Sequence, residues 1–113
     1  MVSQELVKQR LYDKYIEPTK QKRKDYIGIE IEMPILNLER KAVDFENIHK
    51  ITHKFIEKYS FEPVNIDDDG NIIAAREEHT GDILSYDCSY NNLELSFGKS
   101  KTLDEVYDRF CVY

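Results

Sequence analysis

What the sequence has little of excludes several classes of protein. Its 113 residues contain no tryptophan and only two cysteines, and acidic residues outnumber basic ones by 22 to 16. Cys88 and Cys111 are too few for a disulfide framework, which favours a reduced, intracellular protein. The net charge of −6 argues against a nucleic-acid binder, because such proteins present a basic surface.

Long hydrophobic runs are missing as well. The N-terminus carries no apolar segment of the signal-peptide type, and no run of about 18 apolar residues could span a membrane. We therefore expect a cytoplasmic protein with no membrane partner. Hydrophobic residues make up 41% of the chain, enough for a modest core, and the length predicts one domain or part of one.

The stretch from Asp25 to Pro34 has the clearest pattern in the chain. Side chains of a strand point alternately to its two faces. Here Ile27, Ile29, Ile31 and Met33 share one face, and Gly28, Glu30 and Glu32 share the other. The two carboxylates would lie about 6.6 Å apart along the strand. Such a row suits a hard cation such as Mg²⁺, although an edge strand with a solvated acidic face would show the same pattern.

The remaining segments complete an α+β pattern. Helices are predicted over Ser3–Ile16, which Pro18 ends, over Val43–Tyr59, and from a capping box at Thr102–Glu105 onward. Further strands are predicted over Phe61–Ile66, Ile72–Glu77, Asp82–Asp87 and Asn92–Phe97. Strands in hairpin succession imply a mostly antiparallel sheet with helices on one face.

Three other segments have alternative interpretations. His49 and His53 stand four apart, a spacing that suits metal ligands, but they fall at the edge of the polar face of their helix. Asn65–Arg76 resembles a calcium loop, yet its twelfth position is Arg76 instead of a glutamate, so a plain hairpin is favoured. The basic run Lys20–Lys24 indicates a linker, with a phosphate-contacting loop as the alternative.

Three motifs together resemble the start of the glutamate–cysteine ligases, also called γ-glutamylcysteine synthetases. The first is Ile27-Gly28-Ile29-Glu30-Ile31-Glu32. The second is Phe61-Glu62-Pro63-Val64, followed by Asp69-Gly70-Asn71-Ile72-Ile73. The third is Asp87-Cys88-Ser89-Tyr90-Asn91-Asn92-Leu93-Glu94-Leu95-Ser96, followed by Thr102-Leu103.

The resemblance implies a catalytic sheet of the glutamine-synthetase type. In that family ATP phosphorylates the γ-carboxyl of glutamate, and the amino group of cysteine attacks the acyl phosphate. Glu30, Glu32 and Glu94 match metal-binding and catalytic positions, with Mg²⁺ as the implied metal and ATP as co-substrate. Glu94, Asp87 and Ser96 match the region of the substrate site.

The resemblance covers only about the first third of a typical family member. We therefore expect residues 1–113 to form the N-terminal part of a larger catalytic domain, inactive in isolation. Residues 1–24 would be a helix and basic linker, and residues 25–113 the sheet and its helices. Unpaired strand edges would favour self-association or a completing partner chain. The alternatives are a fold remnant without chemistry and a cation-binding module centred on Asn65–Arg76.

Overall fold

The computed structural model describes residues 3–22 and 24–113, which form an α+β fold. The strands are β1 (Glu30–Pro34), β2 (Glu62–Ile66), β3 (Ile72–Arg76), β4 (Ile83–Tyr86) and β5 (Asn92–Ser96). The α-helices are α1 (Gln4–Leu11), α2 (Phe45–Tyr59) and α3 (Leu103–Phe110). No helix in this described part is long and apolar enough to cross a membrane.

The five strands form one antiparallel sheet in the order β1-β5-β4-β3-β2. One face is apolar because Ile31, Leu95, Leu84 and Ala75 stand opposite one another across four strands. Ile56 of α2 belongs to the core against this face, and Val106 of α3 packs on it. The other face carries the polar side chains of β1, β4 and β5. No α-helix among residues 3–22 and 24–113 packs on it, because α2 and α3 pack on the apolar face and α1 has no buried residue.

Local signals in the sequence set the helix ends. The Asp44 side chain caps α2 by accepting a hydrogen bond from the backbone N–H of Asn47, and Ser60 ends that helix with a left-handed φ of 57°. Thr102 caps α3 by accepting from the N–H of Glu105, and the Glu105 carboxylate accepts from the N–H of Lys101. The predicted start of α3 is therefore confirmed.

Two sequence predictions need correction. The strand predicted from the Asp25–Pro34 pattern is shorter, because β1 spans Glu30–Pro34 and Ile27 forms only an isolated bridge with Ser100. The first helix does not join the helical layer on the sheet. After α1 it continues as a π-helical turn over Tyr12–Ile16 and a 3₁₀ turn over Glu17–Lys20, and none of its residues is buried.

The described residues of the basic run Lys20–Lys24 are exposed. Lys20 ends the 3₁₀ turn and pairs with Glu17, and Lys22 and Lys24 are exposed. Arg23, the remaining basic residue of the run, lies outside the described residues. Neither the linker nor the phosphate-loop interpretation is decided by these positions.

A buried carboxylate fastens α3 to the sheet. Asp82, only 1% exposed, forms an ion pair with Arg109 of α3 and accepts hydrogen bonds from the N–H of Gly98 (2.8 Å) and the hydroxyl of Tyr113 (2.6 Å). Arg109 also donates to the carbonyl oxygen of Gly98 and to the hydroxyl of Ser100. A charge this deeply buried is tolerated only when it is paired and hydrogen-bonded, as it is here.

We expect Asp82→Ala to lower the free energy of unfolding by about 3–5 kcal/mol, because it leaves the Arg109 charge partly buried without a partner. Urea denaturation measures the change. Asp68→Ala, at an exposed turn position, is the control and should change stability by no more than about 0.5 kcal/mol. A loss below about 1 kcal/mol in Asp82→Ala would show that the network does not hold α3.

Two glycines give a second, matched pair of variants. A Cβ atom at Gly98 would lie 2.1 Å from the backbone oxygen of Thr80, whereas nothing lies within 4 Å of a Cβ atom at Gly28. Gly98→Ala should therefore cost about 1–3 kcal/mol through overpacking. Gly28→Ala should stay within about 0.5 kcal/mol. Equal melting temperatures for the two variants would contradict this packing at Gly98.

Candidate metal centre

The open face of the sheet brings acidic residues of β1 and β5 side by side. In the antiparallel register Glu32 stands directly opposite Glu94, and Glu30 stands opposite Ser96. Directly opposite residues point to the same face of a sheet. The two predicted acidic strands therefore present their carboxylates to one surface.

A third carboxylate comes from the end of β4. Asp87 continues the β4–β5 pairing, with its N–H donating to the carbonyl oxygen of Asn92 at 3.0 Å. One carboxylate oxygen from each of Glu32, Asp87 and Glu94 lies within 4.8 Å of the other two. We call these three residues the carboxylate cluster. Asp87 and Glu94 are half-buried, and Glu32 is exposed.

Neighbouring polar groups orient each member of the carboxylate cluster. The Ser96 hydroxyl donates to Glu94 at 2.8 Å, and the Asn92 amide donates to Glu32 at 3.3 Å. The Cys88 thiol donates to Asp87, with 3.3 Å between the sulfur and the carboxylate oxygen. Each carboxylate keeps free lone pairs beyond these single donors.

No basic side chain among residues 3–22 and 24–113 forms an ion pair with the carboxylate cluster. Like charges this close repel by roughly 1–3 kcal/mol per pair near a protein surface. A bound cation removes that repulsion, and carboxylate oxygens are the ligands that Mg²⁺ and other hard cations prefer. The donor set therefore fits a divalent cation.

The turn that carries Asp87 is held from two sides. Within it, Cys88 adopts a left-handed φ of 59°, and the N–H of Asn92 donates to the carbonyl oxygen of Ser89. The Asn91 side chain then reaches the segment before α2, accepting from the N–H of Val43 at 2.7 Å and donating to its carbonyl oxygen at 3.2 Å. The position of Asp87 is consequently fixed by side-chain contacts outside the sheet.

Two surface cavities differ in their relation to the carboxylate cluster. A cavity of about 420 Å³ is lined by neighbours of the cluster and by none of its three members; its lining includes Ser85, Tyr86, Cys88 and Tyr90. Ser85 stands opposite Glu94 in the sheet, so this space opens beside the carboxylates. A cavity of about 530 Å³ lies between the 36–44 loop and α2 and contains no member of the cluster. The smaller cavity is the nearer of the two to the carboxylate cluster, because its lining includes Ser85, which pairs with Glu94, and Cys88, which contacts Asp87.

The structure distributes the predicted site residues unevenly. Glu32 and Glu94 meet in the carboxylate cluster. Glu30 lies two residues before Glu32 on the same face of β1 and is not part of the cluster. Asp87, predicted only as a substrate contact, takes the third place. Ser96 contacts Glu94 directly. Sequence reasoning gave no role to Asn92, although its place on the polar face of β5 was a usable signal.

The prediction for His49 is wrong. It was placed at the edge of the polar face of α2, but it is only 9% exposed, and its ring packs against Phe45 and Tyr90. Both of its ring nitrogens are buried and have no hydrogen-bond partner among the residues that the structure describes. His53 is exposed, so the two histidines do not share an accessible surface on which they could bind a metal together.

The hairpin prediction for Asn65–Arg76 is confirmed, since β2 and β3 pair and no helix follows the turn. Gly70 adopts a φ of 85° in this turn. The Asp67 carboxylate accepts hydrogen bonds from the side chain and backbone of Asn71, which hold the pKa of Asp67 below its ordinary value. These bonds use the oxygens that a calcium loop would turn toward the ion.

No family model matches the chain, and neither the curated proteins nor the solved structures contain a significant match to it.

Cys88 offers a direct probe of the charge in the carboxylate cluster. Its hydrogen bond to Asp87 and the Asp87 charge raise the pKa of the Cys88 thiol, and Glu32 and Glu94 add to the effect. Because the thiolate is the reactive form, Asp87→Asn should lower that pKa and speed alkylation of Cys88 by iodoacetamide near pH 8.

The measurement is a pH–rate profile for each cysteine, read by mass spectrometry of the modified peptides. Cys111, which is also exposed, serves as the internal reference and should react at the same rate in both proteins. An unchanged profile for Cys88 would contradict its contact with Asp87.

Proposed function

We propose that the chain forms the Mg²⁺-binding part of a catalytic sheet of the glutamine-synthetase type, in an ATP-dependent ligase resembling the glutamate–cysteine ligases. The observation that carries this proposal is the carboxylate cluster of Glu32, Asp87 and Glu94 on the open sheet face. The Gly-x-Glu-x-Glu and Leu-Glu-Leu-Ser motifs supply two of its three members.

The chemistry of such a ligase explains why carboxylates are needed. ATP and the γ-carboxyl of glutamate are both anionic, and a bound cation neutralises the charge between them. Glu32, Asp87 and Glu94 would hold that cation. Ser96 and Asn92 would keep Glu94 and Glu32 oriented toward it through the hydrogen bonds described above.

The cavity beside the carboxylate cluster supports the same proposal. Its volume of about 420 Å³ lies in the range typical of small-molecule sites. Tyr86 and Tyr90 supply apolar surface, and Ser85 and Asn65 supply polar groups that could orient a ligand. Glutamate, cysteine and ATP are the substrates that the family resemblance proposes for this region.

The alternative functions have less support. A cation-binding module centred on Asn65–Arg76 would need the Asp67 oxygens, which the turn itself uses. A fold remnant without chemistry would bind no cation at the carboxylate cluster. Metal binding at Glu32, Asp87 and Glu94 separates both from the proposed function.

We expect the protein to bind Mn²⁺, used as a paramagnetic substitute for Mg²⁺, with one site that Mg²⁺ displaces. Electron paramagnetic resonance of free Mn²⁺ measures the affinity. Glu94→Gln and Asp87→Asn should each weaken binding at least tenfold, or about 1.4 kcal/mol, because each removes an anionic ligand. Equal affinity in wild type and both variants would overturn the site.

Two control variants sharpen this experiment. Glu62→Gln removes an exposed glutamate from β2, at the far edge of the sheet, and should leave the affinity unchanged. Glu30→Gln tests the family resemblance against the geometry. The carboxylate cluster alone predicts no change, whereas the metal set implied by the resemblance predicts a loss.

An assay of ATP-dependent joining of glutamate to cysteine tests the reaction separately from the metal site. It is carried out with Mg²⁺ and any longer protein that carries this sequence, beside the 113-residue chain. Loss of product in Glu94→Gln, with Glu62→Gln unaffected, supports the ligase. Metal binding without activity in any protein that contains the sequence would reduce the proposal to a cation site.

A further inference from the structure

The N-terminal helical arm, Gln4–Lys20, carries an apolar stripe that is about half exposed in the described part of the chain. Val7, Leu11 and Tyr15 follow one another at intervals of four residues, and all three are exposed. Leu6, Tyr12 and Ile16 beside them are exposed as well. The arm has no buried residue among its described positions. Contiguous exposed apolar surface of this kind marks interaction sites.

A second uncovered stripe lies on α3. Leu103, Tyr107 and Phe110 have the i, i+4, i+7 spacing of one helix face, and all are more than half exposed. Another side of α3 faces the sheet, since Val106 packs on the core and Arg109 pairs with Asp82. The stripe therefore points away from the sheet and is accessible to another molecule.

The charges beside the two stripes are opposite in sign. Arg10 and Lys14 lie along the stripe of the arm, and Asp104 and Asp108 lie along the stripe of α3. None of these four side chains forms an ion pair within residues 3–22 and 24–113. Each pair is four residues apart, a rise of roughly 6 Å along a helix, so the two pairs match in spacing.

The whole chain shows the same division of charge. Residues 1–24 contain seven basic and three acidic residues, a net charge of +4, whereas residues 25–113 contain nine basic and nineteen acidic residues, a net charge of −10. Electrostatic complementarity of this kind steers association and selects the partner surface. The remainder of another copy of the chain is thus a suitable partner for the arm.

The arm stands apart from the rest of its own chain. The radius of gyration is 18.4 Å, compared with about 13 Å for a compact domain of this length. Each copy has one arm and one α3 stripe. If two copies exchange arms reciprocally, the apolar stripes of both arms and of both α3 helices become covered. Such an exchange closes on itself with two-fold symmetry and does not propagate into a fibre.

We propose that two copies of this chain form a dimer in which the N-terminal arm of each packs its apolar stripe on α3 of the other. Arg10 and Lys14 of one copy face Asp104 and Asp108 of the second. The proposal does not depend on the ligase function, because it involves no residue of the carboxylate cluster.

The experiment is sedimentation equilibrium of the 113-residue chain and of two charge-reversed variants. The wild type should sediment with twice the 13.4 kDa mass of one chain. The arm variant, R10E with K14E, and the α3 variant, D104K with D108K, should each dissociate at least tenfold more readily. Raised salt should weaken the wild-type dimer, because exposed charges are screened.

Mixing the two variants decides where the arm binds. In the mixed dimer the reversed arm meets the reversed α3, and the unchanged arm meets the unchanged α3, so the mixture should dimerise within about threefold of the wild-type affinity. If the arm instead folds on α3 of its own chain, mixing restores nothing. That result, or a monomeric wild type, would overturn the proposal.

Two further proteins keep the result interpretable. The single variant D108K leaves Asp104 in the first turn of α3, where an acidic residue stabilises the helix. Mixed with the arm variant, D108K should also restore dimerisation, but the gain in affinity should be smaller. K54E reverses an exposed charge on α2 and should not affect the dimer. A dimer that survives every variant would place the interface elsewhere and contradict the exchange.

Discussion

The buried carboxylate of Asp82 is the interaction on which the arrangement of this fold depends. It lies just before β4, and its partners come from beyond β5, from α3 and from the last residue, Tyr113. One side chain therefore bonds to the segment after β5, to α3 and to Tyr113 at the same time. Removing its partners would leave a charge in a medium that cannot solvate it, so the three segments are stable only together.

This constraint also affects the polar surface on the far side of the sheet. With the start of β4 fixed against the end of β5, the β4–β5 register is set, and a register slip of one residue would turn every side chain to the opposite face. Ser85 then stands opposite Glu94, and Asp87 reaches the same surface two residues later. The buried acid and the exposed acids thus depend on one strand pairing.

Much of the fold could be read from alternation in the sequence. Ile29, Ile31 and Met33 identified the apolar face of β1, and Leu93 and Leu95 did the same for β5. The pairing of Glu32 with Glu94 was open to inference because both lie on polar faces. The position of Asp87 could not be inferred in this way. It depends on a turn with a left-handed residue and on the Asn91 amide, and neither produces a periodic pattern in the sequence. His49 was misplaced because the rings of Tyr86 and Tyr90 come from a distant strand and turn and widen the buried face of α2.

The bonds of the Asn91 side chain to Val43 have a consequence for the energetics of ligand capture. The Asn91 amide uses its carbonyl oxygen as acceptor and one N–H as donor toward Val43, as a backbone peptide group of a neighbouring strand would. The turn beside the carboxylate cluster is thereby ordered during folding. For the proposed cation site this means that the turn with Asp87 is ordered before any ligand binds, so binding would lose less conformational entropy there.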